Sequence, residues 1–105
     1  FASDTLFEMK INELIIGIMS IAMDQFSYAD MKRFVRKEYR GKKYGEQFLD
    51  YLIKMGKEIN IIRITGTIKS ENTKGISFLE NKGFKMSGSL GIGGRFYEMG
   101  ILKLK

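Results

Sequence analysis

The sequence contains no cysteine, histidine, proline or tryptophan among its 105 residues. Without cysteine the chain has no disulfide, no thiol nucleophile and no thiolate metal site. Without histidine it lacks the usual general base and the commonest metal ligand, so we expect no metal centre. Any proton transfer must therefore fall to aspartate, glutamate, tyrosine, a chain terminus or water.

Long apolar runs are also lacking. The longest, residues 14–23, is about half of the ~20 residues that span a bilayer, and we interpret it as a buried strand. No secretory signal is recognisable, and neither a repeat nor a low-complexity linker divides the chain. The sequence therefore predicts one domain over residues 1–105, located in the cytoplasm and without a membrane partner.

The net charge of +6, from 18 basic and 12 acidic residues, has several readings. It suits a solvated surface, an anionic cofactor or a nucleic acid. Nucleic-acid binding needs basic residues interleaved with exposed aromatic ones. The candidates are Arg33-Phe34, Tyr39-Arg40, Lys43-Tyr44 and Arg95-Phe96-Tyr97. Because most of these aromatic residues fall at expected core positions, nucleic acid is the least favoured partner.

Hydrophobic periodicity predicts a mixed α/β (α+β) chain. Residues 12–13 form a tight turn, and the glycine-rich segment 88–94 is interpreted as a mobile hairpin loop because no helix follows it. Tyr44, Phe48, Leu52, Met55 and Ile59 are expected on the buried face of the first helix. The predicted strands span residues 6–11, 14–23, 28–35, 61–68, 84–87 and 95–104, and helices begin near residues 44 and 72.

The segment 34–45 carries the strongest functional signal: a strand end, a basic turn and a helix start. Such a turn points backbone N–H groups into one small volume, and the helix adds its own free N–H groups and dipole. Gly41 and Gly45 allow a sharp turn and the close approach of a ligand. The segment therefore predicts a phosphate seat. The surrounding basic residues are Arg36, Lys37, Arg40, Lys42 and Lys43.

A second segment, residues 72–84, follows an isoleucine-rich strand. Ser70 or Asn72 is expected to cap its helix, and Gly83 to end it in the left-handed conformation with Phe84 packed beside it. In the strand, Ile62, Ile64 and Ile68 are expected on one face, and Gly66 indicates a bulge or a close approach.

Together these segments resemble the Gcn5-related N-acetyltransferases (GNAT). The resemblance covers about residues 6–104 and rests on Val-x-x-Glu-Tyr-Arg-Gly-Lys-x-Tyr-Gly at 35–45 and Asn-x-x-Gly-x-x-Phe-x-Glu-x-x-Gly-Phe at 72–84. It implies a mixed, mostly antiparallel sheet with two helices. It also implies acetyl-CoA as cosubstrate and direct transfer of the acetyl group to a primary amine of a small molecule or protein.

The resemblance also implies cofactor contacts. The family pattern (Gln/Arg)-x-x-Gly-x-(Gly/Ala), which holds the pyrophosphate, falls on Arg40, Lys43 and Gly45, with Lys43 departing from the usual glycine. The family's pantetheine arm pairs with the strand before this turn, and an asparagine after the next strand is a further contact. The implied set is Arg33, Phe34, Val35, Arg40, Gly41, Lys42, Lys43, Tyr44, Gly45, Glu46 and Asn72.

A second departure concerns the chemistry. The family tyrosine that often protonates the leaving thiolate is replaced by Leu79, and Tyr97 is the best substitute donor in the sequence. Glu38 and Asp30 are candidate bases, but no motif supports either. Two alternatives therefore stay open: a non-catalytic acyl-CoA-binding or regulatory module, and a small basic RNA-binding protein.

Family members usually begin with a strand and one or two helices before the first hairpin, whereas here the hairpin starts within the first residues. We expect either a fragment or a member that lacks this N-terminal portion. The strand at 6–11 then lies at or near a sheet edge. Because exposed edges pair readily, the sequence predicts self-association, most simply as a homodimer.

Overall fold

The computed structural model describes residues 3–105, which form one mixed sheet and two α-helices. The sheet order is β1-β2-β3-β4-β6-β5, and every neighbouring pair is antiparallel except β3 and β4. This confirms the mixed, mostly antiparallel fold. The elements are β1 (Ser3–Ile11), β2 (Leu14–Met23), β3 (Tyr28–Val35), α1 (Tyr44–Glu58), β4 (Arg63–Lys69), α2 (Thr73–Asn81), β5 (Lys85–Ile92) and β6 (Arg95–Lys103).

Both helices pack on the same face of the sheet. A single apolar cluster joins strand residues to Phe48 and Leu52 of α1 and to Leu79 of α2. Lys82, which ends α2, contacts Glu46 at 3.0 Å and Asp50 at 2.8 Å on α1. Hydrogen bonds to Asp50 and Glu46 raise the pKa of Lys82. We call the side that carries α1 and α2 the helix face, and the other side the open face.

Two tight turns close the hairpins. Asn12 and Glu13 both have positive φ (48° and 73°), as do Gly93 and Gly94 (57° and 78°), which is the pattern of a type I′ turn. The prediction of a loop over residues 88–94 is therefore wrong, because β5 continues to Ile92. Glycines usually interrupt strands, which is why the sequence predicts a loop. Here the register shifts between Met86 and Gly88, and pairing with β6 continues beyond the shift.

The isoleucine predictions need correction at the junction of α1 and β4. Ile61 is 1% exposed, whereas Ile62 is 38% exposed and precedes β4. The chain leaves α1 through Asn60, which has φ 64°, and the Ile61 N–H donates to the Gly56 carbonyl. This turn places Ile61 in the core. Ile59, at the end of α1, is 53% exposed rather than buried.

The ends of α2 agree with the sequence. The Asn72 side-chain oxygen accepts from the Gly75 N–H at 2.9 Å, which makes Asn72 the N-cap. Gly83 has φ 99°, and the Phe84 N–H donates to the Leu79 carbonyl. The position of β1 at a sheet edge is also confirmed. Within residues 3–105 no helix is long and apolar enough to cross a membrane.

Candidate active site

The centre of the candidate site is the place where β3 and β4 separate. Their parallel pairing runs from Tyr28–Arg63 to Met31–Gly66 and stops there, although both strands continue. A cleft of about 830 Å³ opens between the diverging ends. Its walls include residues 30–35 and 66–69, Arg40, Gly41, Gly45, Asn72, Leu79 and Tyr97.

Backbone groups of β3 point into this cleft. The Arg36 N–H donates to the Ile16 carbonyl at 2.7 Å, and this bond fixes the alternation of the β2–β3 ladder. Phe34 therefore directs its backbone groups towards β2, while Arg33 and Val35 direct theirs towards the cleft. The Val35 carbonyl accepts from the Arg40 side chain at 2.8 Å. The N–H and C=O of Arg33 and the N–H of Val35 thus face the cleft beyond the end of strand pairing.

The amino end of α1 adds further N–H groups beside the cleft. A short 3₁₀ turn, Lys37–Tyr39, leads to Gly41 (φ 75°) and to Lys43 (φ 68°), the N-cap residue, whose side chain makes no cap bond. The first intrahelical bond is donated by the Gln47 N–H, so the N–H groups of residues 44–46 carry the positive end of the helix dipole. This arrangement can bind a phosphate.

The predicted cofactor residues divide by position. Gly41 and Gly45 line the main cleft, while Lys43 and Glu46 line an adjoining hollow of about 360 Å³. Lys42 and Tyr44 instead lie near the Tyr39 ring, at 5.8 and 5.9 Å. The structure thus brings together Arg33, Phe34, Val35, Arg40, Gly41, Gly45 and Asn72 at the cleft, and sets Lys42, Lys43, Tyr44 and Glu46 around it.

The Arg33 side chain has a bridging position that the sequence does not reveal. Its Nη1 donates to the Gly45 carbonyl at 2.8 Å, and its guanidinium lies 4.6 Å from the Phe78 ring centre. Burial lowers the pKa of Arg33. The side chain therefore joins β3 to the first turn of α1 and to α2, while its backbone faces the cleft.

Leu79 and Tyr97 line the same cleft from different sides. Leu79 is 3% exposed and belongs to the core of the helix face. Tyr97 is half-buried and pairs with Lys69 across β4 and β6. Of the two candidate bases, Asp30 lines the cleft, whereas Glu38 lies in a separate hollow next to Ile18.

Glu98, the neighbour of Tyr97, does not line the cleft but supports it, a role that the sequence analysis missed. Its carboxylate accepts from the Ser70 hydroxyl at 2.5 Å and from the Ser89 hydroxyl at 2.8 Å. These hydrogen bonds lower the pKa of Glu98. They tie β5 and β6 to the end of β4, and so hold the strand that carries Tyr97. The three residues are far apart in sequence, and no motif connects them.

The charges that line the cleft are mostly positive. Arg33, Arg40, Lys32 and Lys69 outnumber Asp30, so the cleft suits an anionic ligand. Among the described side chains, residues 5–105, no group of three or more metal-ligating residues comes together.

The family follows from comparison with known proteins. The sequence matches the family model of the acetyltransferase (GNAT) domain over residues 3–99. The chain therefore belongs to the GNAT acetyltransferase family, which confirms the resemblance seen in the two motifs. A search of curated protein sequences finds no match.

Solved structures share the fold at low sequence identity. A spermidine N-acetyltransferase chimera from Vibrio cholerae and hSSAT aligns with TM-score 0.85 and 17% identity, over 96% of this chain and 67% of that one. The ribosomal-protein-S18-alanine N-acetyltransferase from Escherichia coli aligns with TM-score 0.87 and 14% identity, over 96% of this chain and 69% of that one. An N-acetyltransferase from Staphylococcus aureus Mu50 aligns with TM-score 0.87 and 20% identity, over 97% of this chain and 68% of that one. The chain thus spans about two thirds of the length of these structures.

The left-handed conformation of Lys43 predicts a stabilising substitution. A residue with a Cβ destabilises the folded state by about 1–2 kcal/mol in this conformation. Replacing it with glycine removes that strain, but glycine loses more backbone entropy on folding, so only part of the gain remains. We expect Lys43→Gly to raise the free energy of unfolding by about 0.5–1 kcal/mol in urea titrations. Lys42→Gly is the matched control, because Lys42 does not have a positive φ. Equal losses of stability in both variants would contradict the assignment of strain to Lys43.

Proposed function

We propose that this chain is an acetyl-CoA-dependent N-acetyltransferase that acts on a primary amine. The observation that carries the proposal is the cleft between β3 and β4. Backbone groups of Arg33 and Val35 face into this cleft beside the amino end of α1. A ligand with amide groups can extend the β3 ladder, and its phosphates can meet the helix end. Acetyl-CoA has both features.

The residues of the cleft would divide the work. Arg33 and Val35 would pair with the pantetheine amides, and the N–H groups of Gly45 and its neighbours would bind the pyrophosphate. Phe34 and Asn72 also line the cleft, and the Asn72 amide nitrogen would be a further hydrogen-bond donor there. Lys42, Lys43, Tyr44 and Glu46 surround the phosphate site, together with Arg40 and Gly41.

Acetyl-CoA supplies an activated thioester. The amine nitrogen would bond to the acetyl carbon while the carbon–sulfur bond breaks, the thiolate leaves and the amine loses a proton to water or a base. A backbone N–H of β3 near Val35 would polarise the thioester carbonyl. No covalent enzyme intermediate is needed, which suits a chain without cysteine or histidine. A cytoplasmic location and a single domain over residues 1–105 stay predictions of the sequence.

Binding of acetyl-CoA is the first test. At a ligand concentration of 100 times the dissociation constant, the folded state should gain about 2.7 kcal/mol. A thermal-shift and calorimetry screen with acetyl-CoA, CoA and RNA measures this gain. No shift at millimolar acetyl-CoA would reject both acyl-CoA readings, and a shift with RNA alone would favour the RNA-binding alternative.

Gly45→Val localises the binding. A Cβ at Gly45 would lie 3.0 Å from the Arg33 guanidinium, so the side chain would disturb the first turn of α1. Gly91→Val is the matched control, because a Cβ there meets only Phe96 at an ordinary 3.6 Å. The proposal predicts that Gly45→Val binds acetyl-CoA more weakly than the parent, while Gly91→Val binds it equally well. Both variants must first unfold as cooperatively as the parent, so that loss of binding is not loss of folding.

Leu79 gives specific support to a second function, a non-catalytic acyl-CoA-binding module. A positioned general acid contributes about 10²- to 10⁴-fold to the rate. A thiol titrates near 8.5, so the thiolate can also leave without a dedicated acid, but more slowly. Tyr97, which lines the cleft, is the proposed substitute donor.

Two substitutions separate these functions. Tyr97→Phe should lower turnover by about 10²-fold or more if Tyr97 donates the proton. Leu79→Tyr should raise turnover if only the acid is lacking, with the unfolding midpoint checked because a larger buried side chain can cost 1–3 kcal/mol. Tyr51→Phe on the exposed side of α1 is the control. Unchanged turnover in both variants, with tight acetyl-CoA binding, would favour the non-catalytic module.

The proposal includes a homodimer that pairs through β1. This strand is a sheet edge, and its Leu6 is 61% exposed. We expect light scattering to give twice the monomer mass, and Leu6→Lys to reduce it to the monomer mass. Leu90→Lys, on the opposite edge strand β5, is the control. A monomer at high concentration, or dissociation by Leu90→Lys alone, would contradict pairing through β1.

A further inference from the structure

The cleft passes between two strands and therefore opens on both faces of the sheet. Met31 is buried in the core of the helix face, so its neighbours Asp30 and Lys32 point to the open face. Asp30 lies opposite Thr65, and Lys69 lies opposite Tyr97, and residues that lie opposite each other share a face. Since Thr65 and Lys69 have the same parity on β4, all of these side chains belong to the open face.

The two openings differ in what they can bind. The amino end of α1, with Gly45 and the Arg33 guanidinium, lies at the helix-face opening. On the proposed function, this opening takes the acyl donor and its phosphates. The amine acceptor then approaches the thioester from the open face, past Asp30, Lys32, Lys69 and Tyr97.

The charges at the open-face opening are two lysines and one carboxylate. Asp30 is the one acidic residue among the described residues that line the cleft. Among residues 5–105, whose side chains the structure describes, no ion pair within 4.0 Å involves Asp30, Lys32 or Lys69. These side chains are thus available to a ligand, and the opening has a net positive charge.

We propose that the acceptor is a small amino acid-like amine, which carries a carboxylate near the amine that is acetylated. The carboxylate would pair with Lys32 and Lys69, and Asp30 would receive the ammonium group before it loses its proton. The two lysines would also disfavour the protonated form of the amine and repel a second cationic group. The inference rests on the proposed function and names the substrate class of the same site.

The test compares acceptors that differ only in the group at the far end from the acetylated amine, which is a carboxylate, a neutral amide or a second amine. The first set is 6-aminohexanoate, 6-aminohexanamide and 1,6-diaminohexane, and the second is β-alanine, β-alaninamide and 1,3-diaminopropane. Each is titrated into the protein saturated with CoA, so that binding is measured without turnover. An exposed ion pair contributes up to about fivefold, so two lysines should favour the carboxylate over the diamine by about 5- to 30-fold.

Variants assign the preference to the two lysines. Lys32→Gln and Lys69→Gln should each weaken carboxylate binding, and the double variant should bind the carboxylate and the amide equally. Lys103→Gln is the matched control, since Lys103 shares the open face but pairs with Arg63 at the far end of β4. Affinity for CoA should stay the same in Lys103→Gln, because Lys103 does not line the cleft.

Three results would overturn the inference. The diamines could bind as tightly as the carboxylates, or the preference for the carboxylate could survive in the double variant. The third is that no amine binds at concentrations on the order of 10 mM, where even weak affinities are measurable. Failure of the transferase proposal gives a different result. If the protein binds the carboxylates with the expected preference but acetylates none of them, the transferase proposal is rejected and the site for a carboxylate-bearing amine is supported.

Discussion

The structure depends on the end of pairing between β3 and β4 after Met31 and Gly66. Inside a sheet, unpaired N–H and C=O groups are costly unless water or a ligand satisfies them. Here the paired half is fixed by Met31 and Ile64, which lie in the core with both helices. The diverging half is held by Arg33, whose side chain bonds to α1 and stacks on α2. The cleft is therefore a built feature of the fold, supported from the helix face.

The same divergence explains why binding groups of different kinds meet. As β3 leaves β4, its last residues lead directly through Gly41 and Lys43 into α1, so ladder groups and helix N–H groups lie in succession. Two residues of this turn have positive φ. One is glycine, which adopts the conformation freely, and the other is a lysine, for which it is strained.

Sequence alone predicts what local rules decide. The capping residue Asn72, the left-handed Gly83 and the face of α1 that carries Phe48 and Leu52 follow from spacing and residue type. The extension of β5 to Ile92 does not, because pairing with β6 overrides the preference of glycine for loops. Contacts between distant segments cannot be predicted by local rules either. No sequence motif indicates the hydrogen bond from Arg33 to Gly45 or the one from Ser70 to Glu98.

Family membership fixes the fold and leaves the chemistry to individual residues. Leu79 removes a hydroxyl from the helix side of the cleft, whereas Tyr97 brings one to the open side. The strand that carries Tyr97 is held by Glu98 through two serine hydroxyls, one on each neighbouring segment. A donor placed on a strand that is fixed in this way has less freedom than one on a loop. On the proposed function, acyl-CoA binding would thus depend on backbone geometry, while proton donation would depend on one side chain of β6.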